Sequence, residues 1–175
     1  MNERIAIRQS EDNDWPEIER LYSQAFPDEA LLPLVKALLS LPDLTLSLVA
    51  VEGSSVIGHI ILTTCGIDDR NDQVALLAPL GVVPSRQKTG IGSALIQAGF
   101  DRLKKSGLSQ ICVLGDPGYY GRFGFRPETQ VAPPYPLPEE WAVAWQSLSL
   151  GSAAPLSPGT LTVPTPWRQP TLWAP

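Results

Sequence analysis

The sequence predicts an α/β domain built on a mixed sheet, and three observations carry the prediction. Residues 77–100, LAPLGVVPSRQKTGIGSALIQAGF, run from an apolar strand through a glycine-bearing loop into an amphipathic helix. Residues 44–51 and 56–64 are apolar or alternating runs rich in β-branched residues, joined by Glu52, Gly53, Ser54 and Ser55 in the pattern of a hairpin. Two stripes at helical spacing precede them, Trp15, Ile18, Tyr22 and Ala25, then Leu31, Leu34, Val35 and Leu38.

The first strand is residues 4–9, with Ile5 and Ile7 on one face. Asp14 and Glu17 have the spacing of an N-cap with a reciprocal acid, and Pro16 suits a first turn, so a helix is expected from there to Phe26. Pro33 places the start of the second helix at or shortly before it, and Asp28 and Glu29 sit where they would cap it. The hairpin follows, then a polar turn over 67–72, so four strands form an antiparallel meander. In the helix after the loop, Ile91, Ala94, Leu95, Ala98 and Leu103 share a face, Lys104 and Lys105 occupy the last turn, and Gly107 ends it.

Residues 111–114 are a short buried strand that stops at Gly115-Asp116-Pro117, where Asp116 caps and Pro117 opens a short helix over 118–123. Gly124 is expected to end that helix in a left-handed conformation, and Phe125 to begin another strand. Trp141, Val143 and Trp145 alternate and read as the seventh strand. The loop before them, Ala132-Pro133-Pro134-Tyr135-Pro136-Leu137-Pro138, is too rich in proline for helix or sheet interior. A further short strand is expected at 160–163.

With 175 residues, 43% of them hydrophobic, one globular domain over 1–150 is expected, with a proline- and tryptophan-rich tail over 151–175. Trp167 and Trp173 need burial, on their own domain or on a second copy, so a homodimer through this region is a candidate arrangement. The charged N-terminus has no apolar segment of the signal-peptide kind, and the longest apolar run, 74–83, is too short to span a bilayer. Cys65 and Cys112 lie in strand regions without framework spacing, so reduced thiols, a cytoplasmic location and no metal site are expected. A net charge of −5 argues against a nucleic-acid surface and fits a cationic or amine-bearing partner, as it fits solubility alone.

The helix that starts near Ile91 has no acid in its first turn, and nothing from Gln73 to Phe100 is acidic. First turns ordinarily take Asp or Glu to answer their unpaired N–H groups and the positive end of the dipole. Here those donors, with Arg86 and Lys88, are left for an anion from outside, and a phosphate or pyrophosphate fits. Gly90 and Gly92 remove the Cβ atoms that would hold it off the backbone. The dinucleotide fingerprint fails because Leu95 stands where its third glycine belongs, and the nucleotide-triphosphate loop fails for want of Gly-Lys-Ser/Thr.

What remains, Gln87-x-x-Gly90-x-Gly92 between a strand and a helix, resembles the acetyl-CoA signature of the Gcn5-related N-acetyltransferases. Pro79 and Gly81 in the preceding strand fit the bulge that this resemblance implies, which splays the strand from its parallel neighbour and leaves backbone groups for pantetheine. Tyr120-Gly121-Arg122-Phe123-Gly124-Phe125 resembles the tyrosine-x-x-x-glycine-phenylalanine segment after the fifth strand of that family, and the double tyrosine is most similar to the YhbS-like bacterial subgroup.

The resemblance implies the acyl-CoA N-acyltransferase fold, about seven strands with a central splayed parallel pair flanked by helices. It implies acetyl-CoA as cosubstrate, held by Leu80, Gly81, Val82, Gln87, Lys88, Thr89, Gly90, Ile91, Gly92 and Ser93. Asp116 is placed either against pantetheine or in the cap alone. Tyr120 is implied as the acid that protonates the departing thiolate, with Tyr119 its competitor. The implied reaction is direct attack by a primary amine in a ternary complex. A small amine is favoured, with a protein or peptide amine as one alternative and a non-catalytic CoA sensor or interaction module as another. The two N-terminal helices and their junction are implied as one wall of the acceptor cleft. No base stands on the organising strand, so Asp28, Glu29 or His59 acting through water are the candidates. His59, the only histidine, reads equally as a hydrogen-bonded sheet residue.

Overall fold

The computed structural model describes residues 4–108, 110–151 and 156–174. The chain forms two compact units, Met1–Leu62 with Ala78–Arg102, and Thr63–Leu77 with Leu103–Pro175.

In the first unit, strand β1 (Ile5–Gln9) pairs antiparallel with β2 (Thr45–Glu52), Ile5 opposite Glu52 and Gln9 opposite Leu48. Strand β3 (Ser55–Ile67) adjoins β2, and β4 (Gln73–Val82) adjoins β3, in the order expected; β3 leaves the first unit after Leu62 and β4 enters it at Ala78. Helices α1 (Trp15–Ala25), α2 (Leu32–Leu39) and α3 (Ile91–Ser106) bury Ile18, Leu21 and Tyr22, then Leu34, Val35 and Leu38, then Ile91, Leu95, Ile96 and Phe100. The α3 stripe differs from its sequence reading, because Ala94 is exposed and Ile96 and Phe100 take the buried places. Gly58 permits the close approach of α3, since a Cβ there would stand 2.8 Å from Ile91 Cγ2 and 2.9 Å from Leu95 Cδ1.

The start of α1 is also built differently. Asp14 does hold the N-cap position, but its carboxylate makes no cap bond. It accepts from Arg8 at 2.7 and 2.8 Å and from the Glu11 N–H at 2.7 Å, and so ties β1 to the single 3-10 turn Asp12–Asp14. A charged fork offers two short bonds where the helix offers one, which decides where the acid goes. Nor do Asp28 and Glu29 cap α2, whose N-cap is Leu31 without a side-chain bond.

In the second unit, β4 pairs parallel with β5 (Gln110–Leu114) through Ala75 opposite Ile111 and Leu76 opposite Cys112. Strand β8 (Trp145–Ser149) lies antiparallel on β5, and β6 (Arg126–Pro127) antiparallel on β8. Strand β9 (Gly159–Thr162), the tail strand expected from sequence, pairs antiparallel with the end of β3, and β7 (Val131–Ala132) runs parallel to β9. The described residues thus hold nine strands rather than about seven.

The stretch read as a seventh strand is corrected at its start. Residues Glu139–Ala144 form a 3-10 helix, and only Trp145 begins a strand. Register is the reason: Leu114 is the last residue of β5 and pairs with Trp145, so Trp141 and Val143 have no partner strand, and Val143 stands 58% exposed. The alternation there is a coincidence of composition.

Trp173 is buried among Trp145 and Trp167, ring centroids 5.9 Å away in both cases, and its indole N–H donates to the Trp167 carbonyl at 3.1 Å. Trp167 in turn donates to Thr63 Oγ1 at 3.3 Å. The tail therefore buries its tryptophans within its own unit. Trp173→Ala is expected to cost about 3–5 kcal/mol, measured by urea unfolding of the second unit's tryptophan fluorescence.

Candidate active site

The first unit carries the anion-binding element. β4 reaches Pro79 through a cis peptide, continues through Leu80, Gly81 and Val82, and gives way to an exposed loop. A Cβ on Gly81 would lie 3.0 Å from Leu21 and 3.1 Å from Phe26, so the strand passes tightly over α1. Gln87 donates its side-chain amide to the Val82 carbonyl at 3.1 Å and closes the loop on the strand. Lys88 and Gly90 have φ of +62° and +90°, and a Cβ at Gly90 would meet nothing within 4 Å. Left-handed residues of this kind also occur in the backbone nests that bind anions.

The first bond of the α3 ladder runs from the Ala94 N–H to the Gly90 carbonyl. The N–H groups of Ile91, Gly92 and Ser93 therefore lie ahead of the ladder, and no acid stands in the first turn. The two cations of the loop differ from expectation. Arg86 is taken up by an ion pair with Glu52 of β2 and is not offered outward. Lys88 is exposed and has no ion pair among the described residues. The residues present fit a bound phosphate or pyrophosphate: open space at a glycine, unspent donors and one lysine.

Asp116 and Tyr120 belong to the second unit. Asp116 caps α4 (Pro117–Tyr120) by accepting from the Gly118 N–H at 2.9 Å, as its position before Pro117 predicts. A 3-10 turn, Gly121–Phe123, ends at Gly124 with φ +98°, the left-handed stop read from sequence. The Tyr120 ring lies edge-on to Phe125 and Tyr119 and covers the bare Cα of Gly115, where a Cβ would come within 2.4 Å of its Cε2. Burial raises the phenol above its usual value, and Tyr119 adds to the rise. Tyr119 has the Arg122 guanidinium 4.6 Å over its ring. The two neighbours are thus in different settings, one enclosed and one under a cation.

Sequence reasoning missed what surrounds His59. Its ring is fully buried in the first unit, with Nδ1 2.8 Å from the Tyr22 hydroxyl and Nε2 2.8 Å from Ser47 Oγ. The hydrogen-bonded sheet residue is therefore what the structure shows. Burial lowers its pKa from 6.5 to about 3, against a smaller upward pull from Asp14. An unfolded chain protonates this histidine below its ordinary pKa while the native chain does not. Stability should therefore be full above pH ~6.5 and fall by up to about 1.4 kcal/mol per unit toward the native pKa. His59→Gln should flatten the urea midpoint over that window, and an unchanged slope would assign the acid loss elsewhere.

Asp28 and Glu29 are exposed at the α1–α2 junction. Glu29 joins Tyr22, Ser23, Phe26, Pro27 and Leu32 around a cavity of about 190 Å³. The proline-rich loop surrounds another, of about 520 Å³, with Tyr135 and Trp145 in its wall. Among the described residues no group of three or more His, Cys, Asp or Glu is arranged to hold a metal, and no helix is long and apolar enough to cross a membrane.

A helix start stripped of acids, reached by a glycine-bearing loop from a strand that has a parallel neighbour, is the scaffold of a site for a ligand that carries phosphates. The profile of the acetyltransferase (GNAT) family matches residues 14–125. The uncharacterized N-acetyltransferase YjhQ of Escherichia coli is 34% identical over 152 residues, 83% of each chain. Its counterpart YhbS is 34% identical over 113 residues, 64% of this chain and 68% of that one. The crystal structure of YhbS from E. coli in complex with CoA superposes with a TM-score of 0.84 at 26% identity, covering 97% of this chain and 94% of that one. A GNAT acetyltransferase from Brucella melitensis in complex with acetyl-CoA gives 0.76 at 31% identity, over 94% and 99%. The chain belongs to the acetyltransferase (GNAT) family and is an acetyl-CoA-dependent N-acetyltransferase.

Proposed function

We propose that the enzyme acetylates the primary amine of a small molecule by direct attack within a ternary complex. The observation that carries the donor half is the α3 start: the N–H groups of Ile91, Gly92 and Ser93, with Lys88, receive the pyrophosphate, and Gln87, Thr89 and Gly90 shape the loop around it. Acetyl-CoA supplies an activated acyl group and a thiolate leaving group. Backbone N–H groups of Leu80, Gly81 and Val82 are assigned to pantetheine and to the oxyanion that develops at the acetyl carbonyl, where a fixed donor stabilises charge without reorganising. Tyr120 is assigned as proton donor to the thiolate sulfur. Asp116 has its cap role filled, and contact with pantetheine is a second use of the same carboxylate.

The acceptor half rests on the cavity at the α1–α2 junction. Its volume, about 190 Å³, suits a small alkyl- or arylamine, and it offers two aromatic rings and one carboxylate, Glu29, with no cation in its lining. That lining favours an ammonium group on entry. Two free, buried thiols, Cys65 and Cys112, fit a reducing compartment such as the cytoplasm.

Thiol release from acetyl-CoA with a panel of small primary amines, beside a panel of peptides, tests the reading. Turnover with small amines that Glu29→Gln slows through KM supports it. Turnover confined to peptides transfers the enzyme to the protein acetyltransferases, and tight acetyl-CoA binding with no acceptor in either panel makes it a sensor.

A further inference from the structure

The donor loop and Tyr120 leave one polar construction of the first unit without a task. Tyr22, His59, Ser47 and Ser10 form an unbroken row: Tyr22 hydroxyl to His59 Nδ1 at 2.8 Å, His59 Nε2 to Ser47 Oγ at 2.8 Å, and Ser47 Oγ to Ser10 Oγ at 2.7 Å. Tyr22, Ser47 and His59 are 2%, 6% and 0% exposed. The residues at the two ends of the row line two different cavities. Tyr22 lines the one at the α1–α2 junction, while Ser10 and Ser47 line another of about 430 Å³ beside β1, together with Asp12, Trp15 and Lys36.

Stability alone does not call for such a row. Buried polar partners replaced together by apolar groups of like shape cost little. A neutral imidazole donates from one nitrogen and accepts at the other, and each hydroxyl does both. The row can therefore be bonded in either direction, from Tyr22 toward Ser10 or from Ser10 toward Tyr22, with both imidazole nitrogens satisfied each time. Burial keeps the ring uncharged, and Asp14, whose charge acts on it, is paired with Arg8.

The geometry points to a proton conduit: Tyr22, His59, Ser47 and Ser10 carry the proton given up by the acceptor amine from the junction cavity to water in the cavity beside β1. This rests on the acetylation reading above. The ammonium first gives one proton to water in the junction cavity; as the neutral amine nitrogen then bonds to the acetyl carbon, a second N–H bond breaks and that proton goes to the Tyr22 oxygen. The Tyr22 proton passes to His59 Nδ1, the Nε2 proton to Ser47 Oγ, the Ser47 proton to Ser10 Oγ, and the Ser10 proton to water. One proton enters and one leaves, and no residue ends charged. After the amide departs, both ends face the same solvent, and a reverse passage restores the starting tautomer with no net change. Tyr22 touches the acceptor in this scheme, whereas His59, Ser47 and Ser10 act through it.

The single histidine makes the test direct. In 15N-histidine NMR of the whole enzyme, His59 is expected to show averaged Nδ1 and Nε2 shifts, the mark of two exchanging neutral tautomers, and Ser47→Ala is expected to collapse them to one. In steady-state assays Ser47→Ala and the half-buried Ser10→Ala should lower kcat on the order of tenfold, leave KM for acetyl-CoA unchanged, and make kcat rise with the concentration of a small buffer such as imidazole. A single fixed tautomer in the wild type overturns the conduit. So do variants with wild-type kcat, or a loss that buffer does not relieve. A wild type that turns over no amine fails the acetylation reading instead, and the NMR arm still decides whether the row conducts in both directions.

Discussion

Gly92→Asp is expected to weaken acetyl-CoA binding by about 100-fold or more, roughly 3 kcal/mol, while the protein stays as stable as the wild type or gains slightly. The two halves of the result have one cause. An aspartate in the first turn of α3 answers the positive end of the helix and its unpaired N–H groups, a contribution of about 0.3–1 kcal/mol to the fold. The same carboxylate occupies the position assigned to phosphate oxygens and repels them. Because no acid stands in that turn, the substitution repairs the helix by spoiling the site. Calorimetric titration of acetyl-CoA and a urea titration of both proteins check the pair. Unchanged affinity would place the phosphates elsewhere, and lost stability would show that Gly92 serves packing.

Tyr120→Phe is the second large effect, a drop in kcat on the order of 100-fold with acetyl-CoA affinity nearly unchanged. The ring is fixed from several sides, by the bare Cα of Gly115, by Phe125 and by Tyr119, so phenylalanine keeps the packing and loses only the hydroxyl. Burial raises the phenol, which therefore stays protonated throughout the working range and can only donate. Its assignment as acid predicts no alkaline fall in wild-type kcat below pH ~10, the ordinary tyrosine value. Tyr119→Phe is the control, with kcat within about twofold of wild type. Reversed effects in the two variants would move the role to Tyr119.

Most elements were legible because their causes are local. The span of α3, the Asp116 cap before Pro117 and the left-handed Gly124 each depend on residues within a turn or two, and each stands where the spacing put it, although Ala94 left the buried face of α3 to Ile96 and Phe100. The strand expected at 141–145 failed because pairing is not local: β5 ends at Leu114, and a strand without a neighbour has nothing to pair with. Arg86 was read as a free cation for a similar reason, since its partner Glu52 lies 34 residues away on another element.

By itself, then, the sequence determined the order of the helices and most strands, the acid-free start of α3, and the family, through two short motifs. Those properties follow from backbone geometry and side-chain period, which a stretch of ten to twenty residues carries alone. Only the tertiary structure decided what the polar groups do. It gave Asp14 to Arg8, Arg86 to Glu52 and the tail's Trp167 to Thr63, and it set His59 between Tyr22 and Ser47. A polar group that folding takes from water must find a partner wherever the fold brings one, and all of these partners lie on another element, from 6 to 104 residues off.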